Sequence, residues 1–223
     1  MTDAPDLPVV DPSDVTDDAA KSSDLPTVAG VVLAAGTSSR FGDSNKLLST
    51  IDGEPLVRHA LRSLLDAALS PVFVVVGHES EAVREAVDGS GATVIEAPNY
   101  ERGQSASVRA GTAAVAETNA AAAIFLPGDM PFVDPATVRA LVDAYDAGVG
   151  DTLAPAIDGR RGNPVLFDRR HFAELRRIDG DVGGRSVLLG SDNAALVSVG
   201  DEGVRIDIDT RAQLARQRPD GNG

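Results

Sequence analysis

Val28–Leu48 reads VAGVVLAAGTSSRFGDSNKLL, and its reading decides the fold. The apolar run Val28–Ala35 is short, rich in valine and followed at once by Gly36. Such a run suits a strand buried on both faces, as in a parallel sheet covered by helices. Gly36 and Gly42 let the following loop turn tightly and approach a ligand closely. Successive backbone N–H groups in such a loop can form an anion-binding concavity. Arg40 adds a planar fork and Lys46 a point charge, the two cation types that suit phosphate oxygens. Two familiar phosphate loops are excluded. Lys46 stands between Asn45 and Leu47, not in a Gly-Lys-Ser/Thr sequence. The glycines also lack the G-x-G-x-x-G spacing of a dinucleotide fingerprint. What remains is L-A-A-G-x-S-x-R-x-G-(x3)-K, Leu33 to Lys46.

Outward from this stretch the pattern alternates. Leu56–Ala68 carries apolar residues at the 3.6 period of an amphipathic helix. Val72–Val76 reads as a second buried strand, Glu81–Val87 as a helix with Ser80 as N-cap, and Thr93–Ala97 as a third strand. Gly103–Val115 becomes helical, Ala122–Leu126 is a fourth strand, and Asp134-Pro135 caps and starts the next helix. This βαβα order implies an α/β fold: a mainly parallel sheet with helices on both faces. After Gly150, Thr152–Ala156 and Pro164–Phe167 flank Asp158-Gly159, a strand–turn–strand signal. Short helices near Arg169–Arg176 and through Leu189, strands at Ala195–Val199 and Val204–Ile208, and a helix from Thr210 complete the expectation. Residues 1–25 hold many aspartates with Pro5, Pro8 and Pro12, and read as a disordered acidic tail. Residues 26–217 read as one domain, with a nucleotide-binding half over 26–150 and an acceptor-binding half over 151–217.

Composition narrows the function. The 223 residues suffice for one sizeable core, and no run approaches the ~18 apolar residues of a membrane span. No signal peptide is visible, so a cytoplasmic location is expected. The absence of cysteine excludes disulfides and thiol catalysis. A net charge of −14 argues against a nucleic-acid binder. Lysine occurs only at Lys21 and Lys46, and the acidic, lysine-poor surface resembles adaptation to a salty cytoplasm. Capture of a phosphate-bearing ligand in such a field must rely on close contacts and a divalent cation.

Ligands of open α/β sheets sit beyond the carboxyl ends of the strands. Gly36–Lys46, Gly77-His78, Pro98–Ser107 and Gly128–Pro131 all follow such ends and should meet at one crevice. Asp129 can hold Mg²⁺, which takes few protein ligands, or can serve the turn and the next helix start. Gln104 and Ser105 open a helix and suit a base edge or ribose, although serine there is often only a cap. Arg161 and Asn163 lie in a turn suited to an anionic acceptor or to plain solvation. Asp179–Arg185 is glycine-rich and ends in a cation at a helix start, again an anion-binding setting. Asp209 ends the last segment, where Asp209 or Thr210 can equally cap a helix.

The order of Leu33–Lys46, Gly103–Ser107, Gly128–Pro131, Gly162–Phe167, Gly180–Arg185 and Asp207–Thr210 resembles the molybdenum cofactor cytidylyltransferases. These are relatives of the guanylyltransferases that make the guanine form of that cofactor. Met130 stands where those enzymes often carry glutamine, and no proline follows Thr210. The resemblance implies a Rossmann-like, three-layer nucleotide-diphospho-sugar transferase fold. It implies transfer of CMP from CTP to the terminal phosphate of molybdopterin, with Mg²⁺ and release of pyrophosphate. It places Arg40, Lys46 and Asp129 in catalysis, and Asp129 with Asp209 on the metal. Leu33, Ala34, Ala35, Gly36, Gly77, Gln104 and Ser105 fall on the nucleotide, and Arg161, Asn163, Asp181 and Arg185 on the acceptor. Ala35 gives L-A-A-G, as in cytidylyltransferases, where the guanylyl relatives read L-A-G-G. A molybdoenzyme or cofactor chaperone is the protein partner implied. The alternatives are a guanylyltransferase, a transferase for a sugar phosphate or 2-phospholactate, and a non-catalytic nucleotide sensor.

Overall fold

β2 (Val28–Ala34) divides its side chains between two cores. Val28, Val32 and Ala34 enter one, and Ala29 and Val31 enter the other with Ala35, following the period of two that a strand imposes. The structure, a computed structural model, describes residues 7–11, 27–38, 41–42, 44–180 and 183–217. The strands are β1 (Val9–Val10), β2, β3 (Thr50–Ile51), β4 (Glu54–Pro55), β5 (Val72–Val76), β6 (Thr93–Glu96), β7 (Ala122–Pro127), β8 (Thr152–Ile157), β9 (Arg160–Arg161), β10 (Val165–Asp168) and β11 (Ala194–Ser198). Among the described residues the main sheet has nine strands in the order β1-β11-β8-β10-β7-β2-β5-β6, with β9 on β8, while β3 and β4 pair separately.

Along that order every pair is parallel except those that β10 makes with β7 and β8. The reversal matters for the site. Val165 opens β10 opposite Phe125, near the carboxyl end of β7. The turn before β10 therefore reaches the crevice mouth, bringing Arg161 and Asn163 there.

The helices are α1 (Leu56–Asp66), α2 (Ser80–Ala86), α3 (Gln104–Ala116), α4 (Pro135–Asp146), α5 (Phe172–Leu175), α6 (Arg185–Gly190) and α7 (Arg211–Gln217). α1, α2 and α4 cover one face through Leu61, Leu64, Val83 and Leu141. α3, α5 and α6 cover the other through Val108, Val115, Phe172 and Leu188. The result is the three-layer, Rossmann-like α/β fold. Phe41, Ile51, Leu56, Ile208 and Leu214 form a further small cluster that ties the loop after β2 to α7. No helix among the described residues is long and apolar enough to cross a membrane.

Three expectations are corrected. Val9–Val10 is not disordered tail: it pairs in parallel with β11, and Pro8 accepts from the Leu196 amide at 2.8 Å. Leu7 and Val10 also pack on the two cores, which gives this short edge strand its hold. The rest of that tail, 1–6 and 12–25, lies outside the described residues. Val204–Ile208 does not form a strand; Glu202–Arg205 is a 3-10 turn capped by Asp201, followed by extended chain. Ser80 is the first residue of α2, not its cap, a position held by Glu79 in the left-handed region at φ 50°.

Gly111 allows α3 to sit close on the sheet, since a methyl group there would lie 2.6 Å from Val31 Cγ1. Gly111→Ala gains helix propensity of about 0.5–1 kcal/mol, but overpacking a rigid core costs about 1–3 kcal/mol. A net loss of about 1–2 kcal/mol is expected in denaturant unfolding. An unchanged midpoint would show that α3 can lift without cost.

Candidate active site

Two carboxylates and one ammonium define the mouth of the crevice. Lys46 Nζ lies 2.6 Å from Asp129 Oδ2 and 2.6 Å from Asp209 Oδ1. The side chains are 14%, 20% and 29% exposed, so the group is sheltered yet open to a ligand. Burial alone would lower the lysine pKa; the Asp129 charge and the hydrogen bonds to both carboxylates outweigh it and raise it above the ordinary value.

Backbone chemistry assembles this triad from distant parts of the chain. Asp129 follows β7, and its carbonyl accepts from the Ile208 amide at 2.9 Å, which brings Asp209 alongside. Gly128 donates to the Leu33 carbonyl at 2.9 Å, holding the turn against the end of β2. Lys46 opens a 3-10 turn capped by Asn45, whose Oδ1 accepts from the Leu47 amide, while Ser38 Oγ accepts from the Lys46 amide. Thr210 and Gln213 form a reciprocal cap: Gln213 donates its amide to Thr210 Oγ1, and its side-chain oxygen accepts from the Asp209 amide. Thr210 thus serves the helix, leaving the Asp209 carboxylate directed at Lys46.

The triad lies in a cleft of about 460 Å³ that Leu33, Ala35, Gly36, Gln104 and Ser107 also line. Tyr100 and Glu101 form a further wall. An adjoining pocket of about 320 Å³ contains Arg161, Asn163 and Arg185 over an apolar floor that includes Phe125 and Phe167. Leu33, Gln104 and Pro127 belong to both. Burial, and then the charge of Arg185, push the Arg161 guanidinium below its ordinary range. No carboxylate among the described residues forms an ion pair with either arginine. Two neighbouring cations that form no ion pair with a described carboxylate make this pocket receptive to an anion.

The sequence-derived candidates separate cleanly. Leu33, Ala35, Gly36, Lys46, Gln104, Asp129 and Asp209 meet at the cleft, and Arg161, Asn163 and Arg185 at its neighbour. Ser105 does not join them: its side chain is 0% exposed and its amide donates to Gly180, because α3 turns Ser107 toward the cleft instead. Ala34 is buried in the core on the α1 side. Gly77 stands behind the wall, where a methyl group would meet Tyr100 and, at 2.8 Å, the Ala35 methyl. Arg40 and Asp181 lie outside the described residues. The sequence reading did not single out Asp207. Burial, followed by the Asp209 and Asp129 charges, pushes its carboxyl above the usual range. Its place two residues before Asp209 was the available signal.

The donor set suits a divalent cation. No group of three or more His, Cys, Asp or Glu side chains among the described residues is arranged to hold a metal alone. Asp129 and Asp209 already share one cation, the Lys46 ammonium, between them. That suits an ion taking few protein ligands and completing its shell with phosphate and water.

Residues 30–195 match the MobA-like NTP transferase domain, and the chain belongs to that family of nucleotidyltransferases. It is 28% identical over 201 residues to nicotine blue oxidoreductase of Paenarthrobacter nicotinovorans, covering 87% of this chain and 98% of that protein. It is 33% identical over 131 residues to the bifunctional protein GlmU of Sphingopyxis alaskensis, covering 58% of this chain but only 28% of GlmU. Among solved structures, Rv0371c of Mycobacterium tuberculosis H37Rv superposes with a TM-score of 0.75 at 30% identity, covering 85% of this chain and 97% of that one. The same mycobacterial protein has been solved in complex with manganese, at 27% identity and a TM-score of 0.71.

Proposed function

We propose that this nucleotidyltransferase moves CMP from CTP onto the terminal phosphate of molybdopterin or its molybdenum-bearing form, releasing pyrophosphate. The carrying observation is the shared wall: a cleft with paired carboxylates and Lys46 opens beside an arginine-bearing pocket with an apolar floor. A nucleoside triphosphate in the first and an anionic, ring-bearing acceptor in the second would meet at Gln104 and Pro127.

The acceptor phosphate oxygen forms a bond to the α-phosphorus as the bond from that phosphorus to the pyrophosphate oxygen breaks. A phosphate monoester is largely ionised at neutral pH, its second pKa being about 6, so no general base is required. The protein positions the reactants and neutralises charge. Arg40 and Lys46 hold the triphosphate and the departing pyrophosphate. Leu33, Ala35, Gly36 and Gln104 border base and ribose, and Arg161, Asn163 and Arg185 hold the acceptor; a role for Asp181 there rests on the family resemblance alone. A divalent cation, here proposed as Mg²⁺, would be held by Asp129 and Asp209 and supply Lewis-acid charge to the phosphates. That the mycobacterial relative has been solved in complex with manganese supports a divalent ion as the metal. Selection of cytosine rests on Ala35 in the L-A-A-G stretch. Ala35 is 1% exposed, and its methyl group lies beside Gly77, next to the Tyr100 wall of the cleft. The reading places the reaction in the cytoplasm, with the product passed to a molybdoenzyme or cofactor chaperone.

Pyrophosphate release with CTP or GTP, each with and without molybdopterin, tests the proposal. Acceptor-dependent release favouring CTP is expected; a preference for GTP, or for a sugar phosphate as acceptor, would replace the substrate assignment. The oxidoreductase activity named for the nicotine-blue relative remains a statement about that protein.

Arg161→Ala should raise the KM for the acceptor about ten- to a hundredfold, the scale of one lost charge-assisted hydrogen bond, with little change in the KM for CTP. Equal rises in both would place Arg161 on the nucleotide.

A further inference from the structure

Lys46 occupies the position that the proposed reaction would give to another cation. Its ammonium is 2.6 Å from each of the two carboxylates proposed to hold the metal. A further carboxyl stands close to this pair, because Asp207 lines an adjoining pocket with Asp129. Without a counter-ion, such a cluster would repel itself. The same lysine also lines the cleft proposed for the triphosphate.

We propose that Lys46 is an exchangeable internal counter-ion. It bridges Asp129 and Asp209 in the empty enzyme, leaves them when a divalent cation takes its place, and turns its ammonium to the phosphate oxygens. This rests on the reading of Asp129 and Asp209 as the metal pair, but not on the identity of the base or acceptor. Exchange links two events that would otherwise be separate. The empty site holds metal weakly because a cation must first be expelled. Once phosphates are present, the expelled ammonium has new partners, and metal and nucleotide favour each other's binding. Lys46 is thereby a positioning residue for the metal as well as a contact for the nucleotide.

The consequence runs against the usual effect of deleting a binding-site cation. In nucleotide-free protein, Lys46→Met should bind Mn²⁺ about tenfold more tightly than wild type, measured by electron paramagnetic resonance titration. Lys46→Arg keeps the charge and should bind as weakly as wild type, while Asp129→Asn should bind more weakly still. A second measurement uses wild-type protein and needs no variant to fold. The sequence contains only two lysines, Lys21 and Lys46, so mass spectrometry can follow acylation of each separately. Mg²⁺ alone should accelerate acylation of Lys46 several-fold relative to Lys21, because the ion-paired amine is protected until its carboxylates are taken. Equal Mn²⁺ affinity in wild type and Lys46→Met, or Lys46 acylation indifferent to Mg²⁺, overturns the exchange. Either result could stand beside intact, CTP-dependent pyrophosphate release, so failure here is distinguishable from failure of the proposed reaction.

Discussion

Lys46→Ala is expected to lower turnover about 10²- to 10³-fold at saturating nucleotide, the scale for one electrostatic contact to charge that grows in the transition state. Pyrophosphate gathers negative charge as it leaves, and Lys46 is the cation among the described residues that line the cleft proposed for the triphosphate. The fold should survive. Its two partners are 20% and 29% exposed, so water can solvate the carboxylates left behind. Circular dichroism should therefore match wild type while single-turnover rates collapse. Near-normal kcat in saturating CTP would remove Lys46 from the chemistry.

Asp129→Asn should be comparably severe, at about 10²-fold or more in kcat, with the Mg²⁺ midpoint moved to higher concentration. The change keeps the shape but removes the charge that attracts the cation. Its backbone carbonyl still accepts from Ile208, so Asp209 stays in place and local unfolding is not the cause. Asp209→Asn should move the midpoint in the same direction but less, because Asp209 is the more exposed of the pair. An unchanged Mg²⁺ midpoint for Asp129→Asn would mean that the metal, if used, is held elsewhere.

Much of this was legible in the sequence where local rules speak. The valine-rich runs ended at glycine or proline, and β2, β5 and β7 follow them closely because strands buried on both faces need unbroken apolar sequence. Asp134 did cap α4, with its Oδ1 accepting from Ala136. The gathering of loop residues at one mouth also followed from parallel strands alone. Features set by tertiary contact were hidden. Lys46 meets partners 83 and 163 residues away, and no spacing rule pairs them. The start of α3 is built from small residues, so its helical phase could not show whether Ser105 or Ser107 faces the ligand. Val9–Val10 is too short to carry a pattern and sits among prolines and aspartates. The chain after Asp201 looked strand-like, but it folds into a tight turn at Gly203, where any side chain would collide with the Phe132 carbonyl.

The stretches 26–150 and 151–217 both contribute to one cleft. Asp209 comes from the second stretch and stands in the cleft with Lys46. Arg211 reaches back to the Phe41 carbonyl at 3.3 Å and to Ser44 at 3.1 Å, beside the cluster that joins α7 to the loop after β2. This bears on how the protein is made. During translation, β2, β5 and β7 can leave the ribosome and pair while the residues of α7 are still being added. The nascent chain then carries its central sheet with a loop that has nothing to lean on and a lysine missing one of its two carboxylates. The carboxylate pair around Lys46 is complete only after Asp209 has emerged, so the arrangement proposed for the chemistry is among the last features to form.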